Sequence, residues 1–494
     1  MVLPGPDPIA PMATESPQRS TALRAGVRTC SEQRDPLHPS KEAARLRKNG
    51  IGGIIFYQYD YKFPRAAPLN HYSMKRSITW LLLGMFPLAG MAQQPALPAP
   101  FATKSVKNFS NVKGWEDGKA PVPPKGFVVH VYADDLKNPR WTYVLPNGDV
   151  LVAESNTIKS TVMQVGAVVL GASKAENMKK SANRITILRD NNKDGRPDVK
   201  ETFLEDLNQP FGMLLLNNWL YIANTDALMR YPYTKGQLKM TAAGEKVLDL
   251  PANGKNQHWT RNIIANADGS KIYIAVGSVD NIGDNGKEVH PRRACILEIN
   301  PDGSGERVYA SGLRNPVGMA WAPGTHTLWA AVNERDELGD DLVPDYLTSV
   351  KKGGFYGWPY SYYGQHEDPR MEAKRPDLVR KAIVPDVQLG AHTASLGLAF
   401  YTKTAFPKRY QNGAFIAQHG SWNRSVLAGY KVVFVPFQNG RPAGPPQDFL
   451  TGFKSDESGD KVYGRPVGIT ILPDGSMLVT DDVNDRIWRV VASK

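Results

Sequence analysis

Arg465-Pro466-Val467-Gly468-Ile469-Thr470-Ile471-Leu472-Pro473-Asp474-Gly475, followed by Met477-Leu478-Val479, is an apolar strand, an Asp-Gly turn and a second apolar strand. This is a hairpin signature, because Asp-Gly accepts the backbone angles of a tight turn between two buried runs. The phrase recurs back along the chain. Asn315-Pro316-Val317-Gly318-Met319-Ala320-Trp321 leads to Thr327-Leu328-Trp329-Ala330-Ala331, and Gln209-Pro210-Phe211-Gly212-Met213-Leu214 leads to Trp219-Leu220-Tyr221-Ile222-Ala223. Further copies start at Asn138, His258 and, in degenerate form, Ala394, so the anchors return every 49 to 79 residues. Between copies lie two more strand-like runs, for example 184–188 and 199–204. Four strands per copy and six copies predict an all-β fold, a six-bladed β-propeller of four-stranded antiparallel blades. The run 126–132 has no hairpin of its own and is expected to supply the outer strand of the last blade, closing the ring. A pair of packed sheets would not require one phrase six times.

Composition agrees. The 494 residues include 44 Gly and 38 Pro, a load of turn formers suited to many short strands. With 41% apolar and 22% charged residues the chain is not of the disordered class. Two cysteines, Cys30 and Cys295, exclude a disulfide scaffold and a four-thiolate zinc site. The net charge of +12 is half accounted for by residues 1–92, which hold 12 Lys/Arg against 6 Asp/Glu. The remainder has no basic block interleaved with aromatics, so no nucleic-acid partner is indicated.

Met74-Lys75-Arg76, the apolar run 77–89 and the small residues Gly90 and Ala92 form an export signal, too short for a bilayer anchor. Residues 1–73 precede it, rich in Pro, Ser and Arg, and are read as an over-extension upstream of the true start. Cleavage after Ala92 implies a periplasmic or secreted protein with Cys295 as its only thiol and no membrane anchor left. A linker, 93–120, then leads to a propeller domain, 121–494.

In such a ring the anchors Asn138, Gln209, His258, Asn315, Ala394 and Arg465 share one rim with the exits of the second strands. Those exits include Asn224, Ser278 with Asp280, 333–336, Gln418-His419 and Asp481-Asp482. Convergent polar groups at one mouth of a closed ring form a candidate binding site, although polar residues also cap strand ends at any wet rim. Separately, Asp190, Asn192, Asp194, Asp198 and Glu201 stand at positions 1, 3, 5, 9 and 12 of a twelve-residue calcium loop, with Gly195 at position 6. The loop joins two strands and reads equally as an Asx-rich turn that needs no metal.

These residues resemble the glucose/sorbosone dehydrogenase family of soluble quinoproteins, over nearly all of residues 121–494. The most specific pieces are His258 followed by 268–273, Gly312-Leu313-Arg314-Asn315-Pro316-Val317-Gly318, and Gly339-Asp340-Asp341 followed by Tyr356-Gly357-Trp358-Pro359. The resemblance implies pyrroloquinoline quinone and Ca²⁺ on the top face, oxidation of a small-molecule sugar, and an electron acceptor that the sequence does not identify. It implies His258 as general base and Arg314 as the neighbouring charge on the cofactor. Gln209, Asn315 and Arg465 then contact the quinone, with Asp280 and His419 beside them, His419 standing where the aldose branch carries a lysine. Backbone oxygens around Arg335 and Asp336 are implied ligands of a catalytic calcium, and Asp341 with the Tyr356 carbonyl those of a structural one. The chain departs from the family pattern at Val467, where a second arginine is expected, and around Gly390-Ala391-His392, where a sugar-stacking aromatic is missing. This leans towards the sorbosone-like branch.

The chemistry is consistent with the residue types. Oxidising a hemiacetal or hydrated aldehyde needs a base for the hydroxyl proton, and neutral imidazole suits that near neutral pH. A calcium-dependent propeller lactonase is disfavoured because the anchors carry no acid. A non-catalytic binding propeller stays open.

Overall fold

The computed structural model describes residues 96–158, 168, 171–175, 180–254, 256–283, 290–456 and 458–493. The extension 1–73 and the export signal 74–92 lie outside the described residues. Among those described, the long strands form six antiparallel ladders of four. Blade 1 is Pro139–Val144, Val150–Glu154, Arg184–Arg189 and Val199–Leu204. Blade 2 is Met213–Leu216, Trp219–Ala223, Ala227–Pro232 and Glu245–Asp249. Blade 3 is Ile263–Ala265, Ile272–Val276, Cys295–Ile299 and Arg307–Ser311, with Gly354–Phe355 added in parallel at its edge. Blade 4 is Asn315–Trp321, Leu328–Asn333, Pro344–Val350 and Val387–Ala391. Blade 5 is Ser395–Phe400, Ala414–Gln418, Lys431–Val435 and Gln447–Leu450. Blade 6 is Pro466–Ile471, Met477–Asp481 and Arg486–Ala492, and its outer strand is Phe127–Ala133.

The second strands read as unbroken apolar runs because each blade is covered on both faces. Successive side chains point to opposite faces, so one strand feeds two cores. In Val150–Glu154, Val150 and Val152 pack with Leu478 and Ile487 of blade 6, while Leu151 and Ala153 pack with Leu220 and Ile222 of blade 2. In Met477–Asp481, Met477 and Val479 meet Phe415 and Phe434 of blade 5, while Leu478 meets blade 1. The six apolar clusters of the described residues fall one to each consecutive pair of blades, the pair 6–1 included.

The repeated glycine is demanded by the neighbouring blade. A Cβ on Gly318 would stand 2.5 Å from the Leu396 carbonyl oxygen, and one on Gly468 would stand 2.8 Å from that of Arg140. Gly212 and Gly397 make the same approach to Arg261 and Val467. Only hydrogen fits where the inner strands converge. Just inside the ring, Trp141, Phe211, Trp259, Val317, Leu396 and Val467, one from each blade, join a single apolar cluster. They lie one to three residues after the anchors and floor the channel mouth.

The stretch 101–116, which reads in the sequence as linker, is held against the domain. Asn111–Val112 pairs with Lys461–Val462, Phe109 stacks on Trp422, and Trp115 Nε1 donates to Asp481 Oδ2 at 2.7 Å. Two aromatics with long-range partners anchor it, a signal that the Pro/Ala-rich start of the segment obscures.

Candidate active site

His258 lies ahead of the inner strand of blade 3, and Arg261 fixes that lead-in. The buried Arg261 guanidinium donates to the carbonyls of His258 (2.7 Å), Thr260 (2.9 Å) and Pro251 (2.7 Å). His258 Nδ1 is 2.9 Å from Ser278 Oγ and 3.1 Å from the Ser278 carbonyl oxygen. Ser278 Oγ spends its own proton on the Asp280 carbonyl at 2.6 Å, so both neighbours of Nδ1 are acceptors. Nδ1 therefore carries the hydrogen and Nε2 the lone pair. Burial, and then the charge of Arg314, hold the imidazole pKa well below 6.5. The result is a neutral base with a defined tautomer.

Arg314 and Asn315 stand beside it. A Cβ on Gly277 would collide with both Asn315 Oδ1 and His258 Cβ, so the two anchors share one wall. Asn315 Oδ1 is buried without a hydrogen-bond partner among the described residues. Arg314 is almost fully buried and donates to the carbonyls of Asn281 (3.1 Å) and Glu334 (2.7 Å) and to Asn281 Oδ1 (3.0 Å). Asp336 Oδ2 lies 3.7 Å from its guanidinium. His392 holds the other oxygen of that carboxylate, its Nδ1 at 2.8 Å, and its Nε2 is 2.8 Å from the Gly339 carbonyl oxygen. Burial opposes charge on His392, but the Asp336 carboxylate outweighs it and raises the pKa. His392 thus buttresses Asp336, a role nothing in its local sequence announces.

The opposite side of the mouth carries Arg465, His419 and Asp482. Arg465 donates to the carbonyls of His419 (3.0 Å), Ala175 (2.9 Å) and Gly420 (3.2 Å). His419 Nε2 meets Asp482 Oδ1 at 2.9 Å, and Arg140 ion-pairs with the other Asp482 oxygen. Burial, then Arg465, pushes His419 down to about 4, so the neutral ring donates its Nε2 hydrogen. Burial works against ionised Asp482, but His419 and Arg140 hold its pKa low. Gln209 is buried and donates through Nε2 to the Asn156 carbonyl at 2.9 Å. Asp280 turns onto its own loop, accepting from Gly283 N at 2.7 Å. Arg140 is not marked out in the sequence, because it stands two residues after its anchor, where other blades carry floor residues. Val467 occupies that floor in blade 6, which is why the expected second arginine is absent there.

The residues implied as calcium ligands make hydrogen bonds and ion pairs of their own. The Asp336 carbonyl, implied as a calcium ligand, accepts from Arg335 Nη2 (2.8 Å) and Nε (3.1 Å). Arg335 itself is buried against Asp368. Asp341 is exposed and pairs with Arg424 at 2.7 Å, whereas Tyr356 is buried and donates its hydroxyl to the Ser349 carbonyl at 2.5 Å. In the loop, Asp190 Oδ2 accepts from Gly195 N (2.8 Å), Asp194 Oδ1 from Arg196 N (2.8 Å) and Asp198 Oδ2 from Asn191 N (2.6 Å). Glu201 lies in the outer strand of blade 1. Among the described residues no three His, Cys, Asp or Glu side chains gather as a metal site. The loop backbone is held by these hydrogen bonds, while Asp190 Oδ1 is buried with no hydrogen-bond partner among the described residues. Asp198→Ala is accordingly expected to cost about 1 kcal/mol of stability, equally in Ca²⁺ and in chelator, in denaturant titrations. A cost confined to Ca²⁺ would put the ion in the loop.

The glucose/sorbosone dehydrogenase family model matches residues 220–427, and a TrAA12-like model matches 370–493. An uncharacterised protein of Borreliella burgdorferi is 32% identical over 306 residues, covering 59% of this chain and 78% of the relative. The chain belongs to the glucose/sorbosone dehydrogenase family. Within that family it is 28% identical over 232 residues to a pyrroloquinoline quinone-dependent pyranose dehydrogenase of Coprinopsis cinerea, covering 43% of this chain and 28% of that protein. A calcium structure of the Trichoderma reesei carbohydrate-active enzyme family AA12 superposes with a TM-score of 0.62 at 18% identity, covering 78% of this chain and 99% of the other. The propeller is thus a fold shared with this neighbour, and no helix among the described residues is long and apolar enough to cross a membrane.

Proposed function

We propose that this member of the family oxidises a sugar or sugar aldehyde, of the sorbosone or aldose kind, with pyrroloquinoline quinone as cofactor, outside the cytoplasm, and that it passes the electrons to a further acceptor. The observation that carries the reading is the neutral His258 with its Nε2 lone pair, next to the Arg314 cation on one wall of the mouth. The mouth suits a planar trianionic quinone in three respects. Its floor is apolar, its walls carry Arg314 and Arg465, and the buried Asn315 Oδ1 has no donor among the described residues. Arg314, Asn315 and Gln209 are the side chains proposed to hold the group. When bound, it supplies the two-electron acceptor for the hydride that leaves the sugar carbon.

The chain's own part is proton transfer and charge. His258 Nε2 takes the hydroxyl proton as the carbon–hydrogen bond breaks, and Ser278, by accepting from Nδ1, keeps the lone pair on the outer nitrogen. The imidazolium so formed stays hydrogen-bonded at Nδ1, while Arg314 stabilises negative charge developing in the mouth. Arg314 is itself fixed by backbone carbonyls and needs little reorganisation. No step is assigned to Ca²⁺. A calcium requirement rests on the resemblance and is tested by chelation.

The working form of His258 is unprotonated, and its pKa is lowered. The acid limb of kcat/KM is therefore expected well below pH 6.5, with a level profile from there to about pH 8. An acid limb at or above 6.5 would remove His258 as the base. The reading as a whole is tested by reconstitution with pyrroloquinoline quinone, with and without Ca²⁺, and dye reduction over a panel of aldoses and sugar aldehydes. Absence of quinone-dependent dye reduction across the panel would overturn it.

A further inference from the structure

At the second position after the anchor, blades 2, 4, 5 and 6 carry Phe211, Val317, Leu396 and Val467, all members of the floor. Blade 1 carries Arg140 there and takes its floor residue one step later, at Trp141. The Arg140 backbone is pinned at the ring, since its carbonyl accepts from Thr480 Oγ1 at 3.2 Å and Gly468 leaves room for it. Its side chain reaches two other blades. The guanidinium pairs with Asp482 of blade 6, and its carbon lies 5.5 Å from the ring centre of Trp259, the residue after His258. A side chain from blade 1 with neighbours at blades 3 and 6 lies across the channel mouth, on the floor.

Arg140 is also under-used. Its side chain is 12% exposed, and its Nε is buried with no hydrogen-bond partner among the described residues. Asp482 is shared with His419 and so answers the guanidinium only in part. Arg465, the cation supplied by blade 6, directs its donors to three backbone carbonyls instead. A fork with open donors, on an apolar floor and over an indole face, suits a carboxylate on a flat ring system.

We propose that Arg140 binds a carboxylate of the quinone cofactor, supplying from blade 1 the second cation that Val467 denies to blade 6. The proposal rests on the quinone reading above. The experiment is equilibrium binding to apo-protein, followed by tryptophan fluorescence, with pyrroloquinoline quinone and with its neutral trimethyl ester, for wild type, R140Q and R140K. R140Q is expected to bind the acid about 10- to 100-fold more weakly than wild type does, and both to bind the ester alike. R140K, which keeps the charge but loses the planar fork, is expected to fall between, and it serves alone if R140Q does not fold. Equal affinity of wild type and the variants for the acid overturns the assignment. An equal loss for acid and ester also overturns it, because Arg140 would then only shape the floor. Failure of wild type to bind the quinone overturns the underlying reading, a result distinct from either.

Discussion

His258→Ala is expected to fold, to bind the quinone, and to reduce it with sugar about 10² to 10⁴ times more slowly in a single turnover. The ring is only half-buried and belongs to none of the six apolar clusters, so alanine opens no blade interface. The lead-in keeps its shape because Arg261 grips the His258 carbonyl rather than the side chain. What disappears is the acceptor for the hydroxyl proton. Ser278 Oγ would remain, but its hydrogen bond to the Asp280 carbonyl leaves it poorly placed to act as a base. Stopped-flow absorbance of bound quinone after mixing with sugar measures the step free of product release. Reduction within a few-fold of wild type would exclude His258 from proton transfer.

The second large effect is expected at Arg314, and it is of two kinds. Arg314→Ala takes the donor from the buried Glu334 carbonyl, whereas the Asn281 carbonyl keeps Trp358 Nε1 at 3.2 Å and the Asn281 amide oxygen keeps Asp336 N at 2.8 Å. An unsatisfied buried acceptor costs about 1–3 kcal/mol, so a loss of that order is expected in denaturant unfolding. In the protein that remains folded, kcat/KM should fall by about 10² or more, since the cation serves both quinone binding and developing charge. Arg314→Lys keeps the charge but cannot reach all three acceptors, so it should recover activity better than it recovers stability. An alanine variant with unchanged unfolding midpoint and unchanged kcat/KM would contradict both parts.

These effects differ in how far the sequence foreshadows them. His258 and Asn315 are legible as rim residues because each heads a copy of the repeated phrase, and the repeat places every head at the same mouth. Arg314 is legible only as the neighbour of Asn315; that it is a strut as well as a charge depends on Asn281 and Glu334, which come from other loops. Arg465 is likewise legible as a cation at an anchor, yet its donors end on carbonyls of residues 175, 419 and 420. Arg140 is hidden for the opposite reason, since its position in the repeat marks a floor residue and only its neighbours show that the side chain lies across the mouth.

The calcium expectations show the same divide. The spacing of Asp190, Asn192, Asp194, Asp198 and Glu201 satisfies a ligand pattern, but a pattern states which oxygens are available and not where they turn. In the folded loop Asp190, Asp194 and Asp198 each turn one oxygen to a nearby backbone N–H, Asp190 Oδ1 is buried with no hydrogen-bond partner among the described residues, and the Asp336 carbonyl accepts from the Arg335 guanidinium.

By itself, then, the sequence determined the hairpins, the blades and the ring, and which residues stand at its mouth. Those follow from interactions between neighbours along the chain, strand alternation, Asp-Gly turns and a recurring glycine, each of which leaves a local and periodic trace. Only the tertiary structure decided the tautomer of His258, the working partners of Arg314 and Arg465, the buttress of His392 on Asp336 and the reach of Arg140. Each of these depends on which donor and acceptor meet between loops and blades, from 20 residues to hundreds apart, where burial makes every unpaired polar atom costly and no local pattern records the match.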